Sequence, residues 1–158
     1  MRLHLNSVKK MKLSEHLDLV EVTRSEYAKR NGINNMPNPE YTENLIELAQ
    51  KIFEPIRTHF NKPIHISSGF RSKILNQKIG GAKNSQHTLG QAIDIDQGNR
   101  KENIEIFEFI KNNLNFDQLI NEFGYDWIHV SYNPDGRQRG EVLDAIKEEG
   151  QTKYLKHE

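Results

Sequence analysis

The sequence predicts an α+β fold, with helices first and then an antiparallel sheet interrupted by further helices. Three observations carry that prediction. Leu45, Ala49, Ile52 and Ile56 recur at helical spacing. Residues 92–96 alternate apolar and polar side chains, as a strand with one buried face does. Residues 127–132 alternate again, after a second helical stretch at 101–114.

Taken in order, residues 14–36 read as short helical pieces. Thr23-Arg24-Ser25-Glu26 has the capping-box spacing and Gly32 is a natural stop. The MPNP turn at 36–39 offers Asn38 as cap and Pro39 as first helical residue. Leu48 and Phe53 flank the apolar stripe that follows, and Pro55 should kink the helix near Glu54. Asn61-Lys62-Pro63 breaks it, and residues 64–67 alternate as a strand. Ser68-Gly69-Phe70-Arg71 turns the chain into a short helix with Ile74, Leu75 and Ile79 as apolar spots and Gly80-Gly81 at its end. A polar loop, 82–86, leads to the next strand, 92–96, where Ala92, Asp94 and Asp96 share one face and both isoleucines turn to the core. The helix at 101–114 should bury Ile104, Phe107 and Leu114. Residues 116–123 and 127–132 read as strands about a turn at Gly124, and 133–140 as a loop. Residues 141–149 fit strand or helix, and the last nine should be loose.

Composition narrows the function. The 158 residues suffice for one domain with a core and are short for two. Lys+Arg and Asp+Glu both number 22, for a formal net charge of +0 and no basic block, which argues against nucleic acid or an anionic membrane as partner. No obligate protein partner is indicated. Cysteine is absent, so any metal site must use His, Asp or Glu. The N-terminus lacks the apolar run of a signal peptide, and no stretch approaches the ~18 apolar residues of a membrane span. The expectation is synthesis in the cytoplasm without a signal peptide, where the protein stays unless another system releases it.

Two segments carry chemistry: residues 85–96 (SQHTLGQAIDID) and 126–132 (DWIHVSY). His87, an aspartate seven positions on, and His129 suit one zinc ion with an open fourth position. His87 follows a loop and is expected to be exposed. His129 points away from the core that Ile128 and Val130 anchor. Asp94 reaches the same point if Gly90 lets the loop fold back. Asp94 and Asp96 share a face, so alternation leaves both open. Asp96 alternatively caps the strand end or orients a ligand histidine. Hydrolysis also needs a base. Asp126 is the first candidate, provided it lies in the turn after Gly124, and Glu122 is its rival. Arg71 can grip a substrate carboxylate or a developing oxyanion. Ser85 is a substrate contact or a loop cap, and Trp127 and Tyr132 line a cleft or pack on the sheet. His4, His16, His59, His65 and His157 are read as structural.

Residues 85–94 resemble the S-x-H-x-x-G-x-A-x-D signature of the zinc D-alanyl-D-alanine carboxypeptidase family of murein peptidases. Asp126-Trp127-Ile128-His129 is similar to its second element and Ser68-Gly69-Phe70-Arg71 to its substrate-arginine segment, and the likeness runs over roughly residues 37–146. The resemblance implies a hedgehog-like fold, N-terminal helices packed on a small antiparallel sheet, carrying one Zn2+. It assigns His87, Asp94 and His129 as ligands, choosing Asp94 over Asp96. It makes Asp126 the base, and Arg71 and Ser85 substrate contacts, although many relatives carry Glu at the base position. The expected domain is a single zinc peptidase domain over 1–158: an N-terminal helical segment at 1–36, a catalytic core at 37–146 and a loose tail at 150–158. The expected activity is hydrolysis of peptidoglycan stem peptides, as a D-Ala-D-Ala carboxypeptidase or an L-Ala-D-Glu-type endopeptidase of the single-domain phage endolysin kind. A non-catalytic zinc-stabilised wall-binding or phage structural module is the competing expectation.

Overall fold

A computed structural model describes residues 11–158. His4 and the first ten residues of the expected N-terminal segment lie outside it. Strands β1 (Lys12–Ser14) and β2 (Leu17–Asp18) form a small antiparallel pair that buries Leu13 and Leu17. Helices α1 (Leu19–Thr23) and α2 (Glu26–Arg30) follow. The capping box falls at Asp18 and Glu21 rather than at Thr23 and Glu26, because Thr23 ends α1 and Ser25 caps α2.

Helix α3 (Pro39–Leu48) starts as the sequence predicts, with Asn38 accepting from the Tyr41 amide and Pro39 at the first position. It continues through a π-helical turn at Ala49–Phe53 into α4 (Glu54–Phe60). The wider turn just ahead of Pro55 absorbs the missing amide without breaking the rod. The stripe therefore stays in line: Leu45, Leu48, Ala49, Ile52, Phe53 and Ile56 are all buried. Each large member of that stripe stabilises the fold by roughly 1.5–3 kcal/mol. Asn61, left-handed at φ 49°, ends the helix.

The main sheet has six strands in the order β3 (Ile66–Ser68), β4 (Ala92–Ile95), β6 (Trp127–Ser131), β5 (Gln118–Glu122), β7 (Glu141–Glu148) and β8 (Gln151–Lys156). Neighbours run antiparallel except β5 and β7, which are parallel, so the sheet is larger than expected and mixed. The expected loose tail is corrected here: residues 151–156 form β8, held to β7 from Leu143↔Lys156 to Glu148↔Gln151.

Between β3 and β4 run α5 (Lys73–Lys78) and a 3-10 turn at Gln86–Leu89, and α6 (Arg100–Asn113) connects β4 to β5. Of the three predicted apolar spots in and just after α5 only Leu75 is buried; Ile74 and Ile79 face solvent at 61% and 44% exposure. In α6 the buried face is Asn103, Ile106, Phe107 and Ile110; Phe107 is buried and Leu114 packs against the core as predicted, whereas Ile104 is exposed.

The core lies between the helices and one sheet face. Ile66, Ile93, Ile95, Leu119, Ile128 and Val130 meet Leu45, Ile52, Phe53, Ile106, Phe107 and Ile110 there. Side chains on the intervening positions point to the opposite face, which α3, α4 and α6 leave open.

Candidate metal centre

Strand register brings the predicted ligands together. Asp94 of β4 lies directly opposite His129 of β6, on the face turned away from the core. His87 comes from the 3-10 turn, and it is buried at 2% exposure rather than lying in an exposed loop. The reason is the tight return at Gly90, whose φ of 69° suits glycine and whose missing side chain admits the Tyr41 carbonyl. Gly69 is constrained as well: a Cβ there would collide with the Val22 carbonyl oxygen. Its own carbonyl accepts the His87 Nδ1 proton at 2.7 Å, which leaves Nε2 as a lone pair.

Three ligand atoms then form a triangle. His87 Nε2 is 3.2 Å from Asp94 Oδ1, His129 Nδ1 is 3.1 Å from the same oxygen, and the two nitrogens are 3.2 Å apart. Tetrahedral zinc with bonds near 2.0–2.1 Å separates neighbouring ligand atoms by about 3.3 Å. The donor set and spacing fit that ion, and all three residues are buried. Burial alone would raise the Asp94 pKa. The flanking imidazoles outweigh it, and the carboxyl is held far below the usual carboxylate range.

Glu122 completes the site. Ile120 is paired with His129 and Glu122 with Trp127 in the β5–β6 hairpin, so Glu122 projects from the His129 face. The residue is 8% exposed and lines the cleft. Burial pushes its pKa up to about 7, with the Asp94 charge adding and His129 and Arg71 opposing. The structure does not bring Asp126 to the ligands. That residue sits in the turn, 53% exposed at the side chain, and accepts from Arg100 Nη2 at 2.8 Å. Three left-handed residues, Phe123, Gly124 and Tyr125, form the turn that carries it.

Arg71 reaches the cleft from the segment after β3. Its amide donates to the His87 carbonyl at 3.1 Å, and its Nη1 donates to Asn76 Oδ1 at 3.2 Å. Its buried Nε has no partner among the described residues, which leaves a donor available. Ser85 Oγ accepts the His87 amide at 3.3 Å, so it caps the ligand turn while its residue lines the cleft.

The other sequence candidates separate from the centre. Asp96 holds the Gly98 amide at 2.8 Å and Asn103 Nδ2 at 3.2 Å, closing the loop after β4. Trp127 lines the cleft beside Phe123, whereas Tyr132 packs against the core. His16 pairs with Glu54, His59 stacks on Phe109, His65 bonds the Asp96 carbonyl and His157 pairs with Asp144. Sequence reasoning missed Asn76, whose Nδ2 also bonds the Ala82 carbonyl, and Asp117. Asp117 accepts from Gln86 and Arg139 and so ties the ligand turn to β5. The cleft, about 890 Å³, runs from Ser68 and Arg71 to Leu143 and Tyr154.

Residues 15–131 match a family model described as Peptidase M15. A stretch of 40 residues is 45% identical to a zinc D-Ala-D-Ala carboxypeptidase of Streptomyces albus G. That stretch covers 25% of this chain and 16% of the relative.

Proposed function

The chain belongs to the Peptidase M15 family, and from that premise we propose that it is a zinc metallopeptidase that hydrolyses peptide bonds in bacterial peptidoglycan stem peptides. One observation carries the reading: a buried His–Asp–His triangle of metal-ligand dimensions beside a carboxyl that titrates near neutrality. The named relative's printed activity supports the substrate class. We extend the proposal to a hedgehog-like peptidase fold over a single domain, and to action on the wall after release from the cytoplasm, in the manner of a phage endolysin.

His87, Asp94 and His129 would hold the ion. When bound, zinc supplies a Lewis acid that lowers the pKa of water and polarises a carbonyl. Glu122, not Asp126, is the proposed base. With a pKa near 7 its carboxylate can take the proton of an attacking water and return it to the leaving amine. Arg71 offers its unpartnered Nε–H and a guanidinium charge to the developing oxyanion or to a substrate carboxylate. Ser85 keeps the His87 turn in place and borders the substrate.

The test incubates zinc-loaded protein with murein and synthetic stem peptides and reads the products by mass spectrometry. Glu122→Gln is expected to lower kcat by about 10²–10⁴-fold while retaining one zinc per chain. Asp126→Asn is expected to keep most activity. The reverse ranking would return the base to Asp126. One bound zinc with no product from any peptide would leave the non-catalytic binding module instead.

A further inference from the structure

The proposed centre is laid out across the sheet, one contribution per strand. Arg71 follows β3, Asp94 is on β4, His129 on β6 and Glu122 on β5. The row does not stop there. Glu122 is in register with Ala145 of β7, and Ala145 with Tyr154 of β8. All three side chains therefore leave the sheet on the site face. Ala145 is small and 1% exposed, so nothing tall stands between the Glu122 carboxyl and the Tyr154 ring. Tyr154 lines the same cleft as the ligands yet is 54% exposed, a large aromatic residue half open to solvent. Burial, then the charges of Glu122 and Asp94, push its phenol pKa up, so the hydroxyl remains a donor at neutral pH. The hairpin that carries it lies beyond the residues 15–131 that match the family model.

We propose that Tyr154 is a specificity-determining residue that contacts substrate two to three residues away from the scissile bond, and so makes the protein select long stem peptides over dipeptides. The inference rests on the peptidase reading above and deepens it. Distance decides the length. Three strand spacings of about 4.8 Å and a two-residue offset along the strand separate His129 on β6 from Tyr154 on β8, roughly 16 Å of backbone. The length of the tyrosine side chain can span part of that gap, but what is left exceeds the roughly 3.4 Å of one extended residue. A dipeptide with its scissile bond at the triangle has one residue on each side and cannot touch Tyr154. A pentapeptide can: a backbone carbonyl accepts from the hydroxyl and a side chain packs on the ring.

The experiment compares a stem pentapeptide with a blocked dipeptide containing the same scissile bond. Both are cleaved by zinc-loaded parent, Tyr154→Phe and Tyr154→Ala, and both are titrated calorimetrically into the same three proteins bearing Glu122→Gln. Tyr154→Ala is expected to weaken pentapeptide binding and kcat/KM about tenfold, through KM, with the dipeptide, zinc content and Tm unchanged. Tyr154→Phe should fall between parent and Tyr154→Ala, since it keeps the ring. Equal loss on both peptides, or no loss on either, overturns the role of Tyr154 and leaves the peptidase reading standing. A parent that neither binds nor cleaves the pentapeptide overturns both.

Discussion

Glu122 and Asp126 are close in sequence yet face different surroundings, and the hairpin between them explains why. Pairing of Glu122 with Trp127 and of Ile120 with His129 puts Glu122 on the ligand face. The intervening turn releases Asp126 to solvent. A lone strand pattern cannot decide this, because positions three apart fall on opposite faces and the answer depends on where the turn closes. The triangle itself was legible only in part: alternation turned His129 and both Asp94 and Asp96 toward one face, the family resemblance chose Asp94, and His87 lies in a buried 3-10 turn that no strand pattern describes. Glu122 also gives a stability signature in metal-free protein. Its folded pKa near 7 lies above the unfolded value, so the native state holds a proton that the unfolded chain has lost. Stability from this residue is therefore present below pH ~4.5 and is lost as pH rises toward 7. Asp94 has the opposite sign: its folded pKa is lowered, and its contribution disappears only as pH falls below the ordinary carboxylate range. Glu122→Gln should remove the loss between pH 4.5 and 7 and be more stable than the parent at pH 8, by about 1–3 kcal/mol in denaturant melts. A parallel pH dependence in parent and variant would show that Glu122 titrates normally. Asn76→Ala tests the support of Arg71. Loss of the Nη1 bond is expected to lower kcat/KM about tenfold with zinc retained. Asn76→Asp, which keeps an acceptor for Arg71, should recover part of that.

At the level of elements, periodicity found α3, α4 and α6 because a long apolar stripe has no other use. It did not find the π-helical turn at Ala49–Phe53, which leaves the stripe nearly in phase and is a response to Pro55. Nor did it find β8, whose residues are mostly exposed and include Lys153 and Lys156 at the sheet edge. Such a strand is specified by its partner and not by its own burial. Glu149, at φ 50°, and Gly150, at φ 75°, form the tight hairpin that returns it to β7. Ending the chain at residue 149 separates the two descriptions of this segment. A loose tail would be removed without effect. A paired strand would cost a few degrees in Tm and speed hydrogen exchange at the β7 amides from Leu143 to Glu148, with β4 and β6 unchanged. The second outcome is expected.

For the whole molecule, the sheet is a partition. One face and the helices share an apolar core that needs no metal, and the other face gathers buried polar groups that lack such support. His87, Asp94, Glu122 and His129 are all removed from water on that side. The sequence pattern revealed both faces in β4 and β6, but not the order β3-β4-β6-β5-β7-β8, because pairing of β5 with β7 in parallel is set by the crossover and not by either strand's composition. This division predicts what metal removal does. Zinc should bind the folded triangle and not the unfolded chain, stabilising by about 4 kcal/mol at a thousandfold excess over Kd. For a chain of this size that corresponds to a rise in Tm of about 10 °C. Chelator should therefore lower Tm by that amount while far-ultraviolet circular dichroism keeps its folded shape at 25 °C, since the opposite face holds the helices and sheet together. His87→Ala should show the lower Tm with or without zinc. Global unfolding on chelation would mean that the core cannot stand alone, and an unchanged Tm in the parent would mean that the triangle binds no zinc.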